Sequence, residues 1–188
     1  FYVVLYGYPQ ALVHMVGSVE PLSQALRGTP ADRWFLYGTL YTAAVLVMGV
    51  RMLVRYRHSK YQIVRTISVM FFQCIAAWMV PAILVNIGSK EYYFHYFWPL
   101  KYDYLFPSSF SSMLASPDKL VVFMAFWGVC MTFIATPVLT YFFGKRWYCS
   151  WVCGCGALAE TLGDPWRQNS DKTLRAWRIE RWLVHGVL

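Results

Sequence analysis

The chain has 188 residues, of which 58% are hydrophobic, 19% aromatic and only 14% charged. Soluble domains usually carry about 25% charged residues, and the long apolar runs also exclude disordered and collagen-like chains. A net charge of +8 would suit a nucleic-acid partner, but its distribution does not. Residues 1–33 and 66–144 are each neutral, while 34–65 (Arg51, Arg55, Arg57, Lys60, Arg65) carry +5 and 145–188 carry +3. Two basic zones separated by neutral ones describe a membrane topology, so lipid is the expected surroundings and no nucleic acid is expected.

In chain order, Phe1–Gly17 is apolar and uncharged but short, holds Pro9 and lacks the basic start of a signal peptide. It reads as the tail of a partial span. Residues 34–56 have the roughly 20 apolar residues that a membrane crossing needs, with Arg51 and Arg55 able to snorkel to the interface. Residues 66–88 and 120–143 contain no charge and complete a set of three full spans. Pro81 and Pro137 lie inside the last two and predict kinks. Residues 182–188 turn apolar again and read as the start of another span, so the chain is expected to be truncated at both ends. The predicted fold class is all-α: a single polytopic transmembrane helical bundle, 1–188, with a cytoplasmic cysteine-rich turn at 144–158.

The positive-inside rule sets the orientation. The 51–65 loop and everything after Lys145 face the cytoplasm, with Arg57 and Trp166 inside; 18–33 and 89–119 lie outside, with Tyr102 among them. The outer loop holds nine aromatic residues from Tyr92 to Phe106. An aromatic belt at the lipid headgroups is the expected reading, and a partner-docking surface or a lid over a quinone cleft is the other.

Three of the five cysteines, Cys149, Cys153 and Cys155, cluster just after the third span. Soft thiolates suit iron and zinc. The interleaved glycines let the backbone wrap closely, and Lys145 and Arg146 offset the negative charge of thiolate-bound iron. Zinc sites more often pair C-x2-C units with histidine, and a reducing cytoplasm disfavours a disulfide. An iron–sulfur cluster on Cys149, Cys153 and Cys155 is the leading reading; zinc, redox, acylated or structural thiols remain open at this point.

Elsewhere, Cys74 and Cys130 read as small packing residues within spans. His14, His58, His95 and His185 are too scattered for a bis-histidine haem site. Gln73, a polar residue near mid-span, reads as a helix–helix hydrogen-bonding residue before a quinone contact. No catalytic Ser/His/Asp set, paired carboxylates or phosphate loop is legible.

The run Gly144-Lys145-Arg146-Trp147-Tyr148-Cys149-Ser150-Trp151-Val152-Cys153-Gly154-Cys155-Gly156-Ala157-Leu158 resembles the G-R-x-x-C-x-W-x-C-P-x-G-A-L signature of membrane-bound polyferredoxin-type 4Fe-4S proteins, of the NosR and NapH kind. Arg65 with Gln73 at the opening of a span, and the basic helix leading to the chain end, are similar too. The resemblance covers about Lys60 to Leu188. It implies an electron-transfer component of an oxidoreductase complex in a bacterial inner membrane, not a catalytic subunit. That component would relay electrons between quinol or flavin and partner redox subunits through a 4Fe-4S cluster. Cys149 and Cys153 fall on the two cysteines of the signature; Gly154 stands where it has proline and Cys155 where it has another residue. The resemblance leaves the fourth ligand outside this cysteine set. The competing readings are a structural or transporter-like membrane subunit and a metal-centre assembly factor.

Overall fold

The computed structural model describes residues 6–7, 12–89, 91–98, 100–101, 105–144, 146–169 and 171–187. Most of the Phe1–Gly17 segment, Tyr102 and Lys145 therefore lie outside the described residues. Among those described, all regular structure is helical and no strand occurs. In chain order they are α1 (Val13–Ser18), α2 (Glu20–Arg27), α3 (Arg33–Arg55), α4 (Lys60–Asn86), α5 (Pro107–Leu114), α6 (Lys119–Phe143), α7 (Trp147–Trp151), α8 (Gly154–Thr161) and α9 (Leu174–Val187). A short 3-10 turn, Asp164–Asn169, follows α8.

Three of these, α3, α4 and α6, are long and apolar enough to cross a membrane, matching the three spans read from the sequence. Their ends follow from local chemistry. The Asp32 carboxylate accepts a hydrogen bond from the Phe35 amide and opens α3, and Asp118 does the same for Leu120 at the start of α6. Gly144, at φ 82°, ends α6 with a backbone that a side chain would strain.

The prolines are absorbed within the helices. Each sits one residue into the α-helical stretch that follows a π-helical one: Phe72–Met79 precedes Pro81, and Met131–Ala135 precedes Pro137. Proline has no N–H to give to the residue four back and its ring presses on that carbonyl. Widening the preceding turns to π geometry makes room for the ring. The predicted kinks thus take the form of π segments.

The packing contains a feature that composition does not disclose. Two irregular segments fold back between the long helices from opposite ends. After α6, the chain turns and runs beside α4: Arg65 Nε donates to the Ser150 carbonyl (3.2 Å) and Ser68 Oγ to that of Trp151 (2.9 Å). It reaches Gln73 and Tyr41 at Gly154. Helix α8 then returns along α3 and α4, and Asp164 meets Arg55 and Tyr56 at the end of α3. Gln73 is thirteen residues from either end of α4, about 20 Å at 1.5 Å per residue. The tip of this hairpin therefore lies halfway along the long helices.

From the other end, residues 91–98 descend between α4 and α6. Trp127 Nε1 donates to the Phe94 carbonyl (2.9 Å), and Thr132 Oγ1 to that of Trp98 (3.1 Å). Tyr92, His95 and Phe97 are buried. This corrects the headgroup-belt reading for those residues: their rings fill the gap that α6 leaves beside α4. Tyr96, Trp98 and Phe106 are exposed. The Tyr148 hydroxyl donates to the His95 carbonyl at 2.6 Å, with Phe97 edge-on to its ring, and this joins the two segments.

Candidate metal centre

The cysteine turn is built from two short helices held on a scaffold of α3 and α4. Ala157, on α8, is fully buried with Val45 of α3 and Val69 of α4, and Tyr41, Met70 and Leu158 pack around them. A larger residue at 157 would prise α8 off both long helices. Arg65 adds an ion pair to Glu160 (2.6 Å) while bonding Ser150, so one side chain clamps α7 and α8 together. At the far end, Asp164 is buried and accepts from Arg55 (2.7 Å) and the Tyr56 hydroxyl (2.8 Å). Gln73 is buried and donates to Thr42 Oγ1 (3.1 Å), the interhelical bond expected of it.

The glycines explain the close wrapping. A Cβ on Gly154 would come within 2.6 Å of Gln73 Oε1 and 3.2 Å of the Tyr41 ring. Proline carries that Cβ, so glycine in place of the signature's proline lets the turn lie this close to Gln73 and Tyr41. A Cβ on Gly156 would collide with the Cys149 carbonyl group. The first residues of α8 can therefore approach the carbonyl of Cys149 only because residue 156 has no side chain.

All five cysteines are free thiols. Cys153 is half-buried, and Cys149 and Cys155 are exposed. The Cys155 thiol lies beside Cys153 and the Tyr41 hydroxyl. Burial, and next the Cys153 sulfur beside it, push its pKa up. Burial likewise pushes up Tyr148, with Cys153, Cys149 and Cys155 all adding to the effect, so the three sulfurs share one neighbourhood around that ring.

Among the described residues, no three histidine, cysteine or carboxylate side chains form a cage for a single metal ion. A cubane places a different iron at each thiolate, so its ligands need not share one coordination sphere. The soft donor set and the glycine cradle fit a cluster better than a lone ion.

The other cysteines stand apart in role. Cys74 is half-buried in the π segment of α4, whereas Cys130 is exposed on α6. That corrects the packing role expected of Cys130, which no described residue buries. His14 is exposed on α1. His95 is buried, and its Nδ1 has no partner. Sequence reasoning passed over Tyr41, Ser68 and Tyr148 and weighed His95 only as a haem ligand; only the density of aromatics around 92–106 and 147–151 hinted at their roles.

Residues 123–173 match a family model described as a 4Fe-4S binding domain. No curated protein and no solved structure matches the chain. The matched stretch holds Cys149, Cys153 and Cys155 within the turn described above. The cofactor of this chain is an iron–sulfur cluster of the 4Fe-4S type.

Proposed function

We propose that this chain is a membrane electron-transfer subunit of the NosR and NapH kind, holding a 4Fe-4S cluster with Cys149, Cys153 and Cys155. It relays electrons between quinol or flavin and partner redox proteins. The supporting observation is the position of the cysteine turn, tucked against the middle of two helices fit to cross a membrane. Electron carriage needs no substrate-activating residue, only a redox centre at a fixed depth in an apolar frame. The turn supplies that frame: Arg65 and Ser68 satisfy its carbonyls, and backbone irregular at this depth is tolerable only where protein surrounds it.

The cluster supplies one-electron redox chemistry when bound; the chain holds, orients and partly shields it. A four-thiolate cluster needs one ligand beyond the three clustered here, and we assign it to the continuation of the chain or to a partner subunit. In this reading the entrance of the cysteine turn faces the cytoplasm of a bacterial inner membrane and loop 89–119 enters from outside, which the two basic zones support.

The test is replacement of each cysteine by serine in the anaerobically purified protein. Cys149→Ser and Cys153→Ser should each lower bound iron severalfold and abolish the reduced-state paramagnetic signal, because hard oxygen replaces thiolate poorly. Unchanged iron in both variants would refute the assignment. Cys155→Ser decides whether the third thiol ligates or only neighbours the cluster.

A further inference from the structure

Helix α9 has a well-made start. Asp171 accepts from the amide and the hydroxyl of Thr173, and Thr173 Oγ1 accepts in turn from the Ala176 amide (3.3 Å). The helix that follows is uncovered. From Leu174 to Leu183 every side chain but Ala176 is exposed, with Trp177 at 56% and Trp182 at 78%. A 14-residue helix without tertiary packing is marginal in water, so its surroundings must supply the rest.

The side-chain pattern states what surroundings suit it. With 3.6 residues per turn, Arg175, Arg178 and Arg181 fall within an arc of about 120°, and Ala176, Ile179 and Leu183 within about 60° on the other side. Trp177 and Trp182 border the arginines, and the Arg181 guanidinium lies 5.9 Å from the Trp177 ring centroid. Among the described residues the three arginines take part in no ion pair. Glu180 is the only acid in the helix and stands neither three nor four residues from any of them. The nearest carboxylates before the helix are engaged: Asp171 at its start, Asp164 with Arg55 and Glu160 with Arg65. The arginines are therefore available to an external anion.

Position identifies the anion. Asp164 is tied to Arg55, the last residue of α3, and α9 begins ten residues later. Ten residues reach at most about 35 Å, so α9 starts within that distance of the membrane face where α3 ends. Arg51 and Arg57 are exposed near the same end. We propose that α9 lies along this face, with Arg175, Arg178 and Arg181 binding the phosphates of acidic lipids and the Trp177 and Trp182 rings at headgroup level. Guanidinium groups meet phosphate oxygens through paired N–H donors, and indole rings favour the interfacial layer. Glu180, on the side away from the arginines, opposes deep burial, so the attraction is chiefly electrostatic. Each arginine near an acidic surface adds about fivefold to partitioning, and the three together about a hundredfold. The helix thereby anchors the segment after the cysteine turn to the bilayer surface.

The experiment follows the two indoles by fluorine magnetic resonance. The full chain is labelled with 5-fluorotryptophan and reconstituted at one copy per lipid nanodisc, and Trp177→Phe and Trp182→Phe assign the signals. The discs are phosphatidylcholine alone or an equal mixture with phosphatidylglycerol, each with a trace of headgroup-nitroxide lipid. Nitroxide broadening of both signals should be severalfold greater in the acidic discs. Salt at about 0.5 M, which screens charges beyond a few ångströms, should remove most of that difference. Combined Arg175→Gln, Arg178→Gln and Arg181→Gln should abolish it and leave bound iron unchanged. Equal broadening in both discs would mean that the apolar side alone holds the helix, and none in either would mean that protein covers it; both results overturn the proposal. The lipid and salt comparisons need no variant, so misfolding of the triple variant leaves the test intact. The readout follows tryptophan and not iron, so its failure would leave the cluster assignment standing.

Discussion

Gly156→Ala adds one methyl group, and the structure makes that change severe. The new Cβ would overlap the Cys149 carbonyl oxygen and lie 2.8 Å from its carbonyl carbon, with the Cys149 Cα at 3.4 Å. The obstructing atoms are backbone, so no rotamer change relieves the clash. Either α8 must withdraw from α7, or the Cys149 peptide must rotate. Withdrawal is opposed by the buried contact of Ala157 with Val45 and Val69 and by the Arg65 clamp. Overpacking of a close-packed site typically costs about 1–3 kcal/mol, occasionally more, and the rigidity here argues for at least about 3. The control is Gly128→Ala: Gly128 lies in α6, and a Cβ there meets nothing within 4 Å. Alanine should stabilise that helix by roughly 0.5–1 kcal/mol. Thermal unfolding and iron content of both variants form the assay. Gly156→Ala should melt well below the parent and lose most of its iron, while Gly128→Ala keeps both. A Gly156→Ala protein with parental melting temperature and iron would show that α7 and α8 do not approach as described.

The ion pair at the base of the hairpin is a second test: Asp164→Asn removes its charge while keeping the shape. Because Arg55 is about half exposed and can re-solvate, the loss should be about 1–2 kcal/mol, read as a lower melting temperature. For orientation, an impermeant maleimide applied to intact cells should label Ser112→Cys and spare Arg57→Cys and Trp166→Cys. The reverse pattern would invert the topology.

The long helices were legible because burial in lipid demands uninterrupted apolar length, and length is a one-dimensional property. The lone mid-span amide of Gln73 announced its bond to Thr42 for the same reason: few alternatives exist in an apolar stretch. The cysteine cluster and its glycines also pointed to close wrapping. The in-folding of the two irregular segments was not legible. It rests on single polar contacts between residues far apart in the chain, such as Tyr148 with His95, 53 positions away, and Ser68 with the Trp151 carbonyl, 83 away. No local pattern encodes such pairs. Tyr92, His95 and Phe97 have the composition of an interfacial belt, and only the space left beside α4 and α6 makes them interior. The π segments escaped as well, because proline predicts a disturbance without specifying which geometry absorbs it.

The buried imidazole gives a final prediction that needs neither iron nor ligand. Burial pushes the pKa of His95 down to about 4 from an ordinary 6.5. Its proton is therefore bound more readily in the unfolded chain than in the folded one. The sign follows from linkage: above pH 6.5 both states hold a neutral ring and His95 contributes no pH dependence. As pH falls from 6.5 toward 4 the unfolded state gains a proton that the folded state refuses, and stability is lost across that window. Below about 4 the loss levels off. The shift corresponds to a total loss on the order of 3 kcal/mol. The rings that face His95, Tyr93 and Tyr96, do not titrate in this range. Other groups that titrate in this range act equally in a variant with an apolar ring at position 95. The measurement is the melting temperature between pH 7.5 and 4.5 for the parent and for His95→Phe, and the His95 contribution is the difference between the two slopes. The parent should fall more steeply, and the gap should open below pH 6.5. Parallel curves would mean that His95 takes up its proton within the folded protein. The ring would then have a polar partner or water beside Nδ1, and the apolar enclosure between the two in-folded segments would not be as closed as the structure describes.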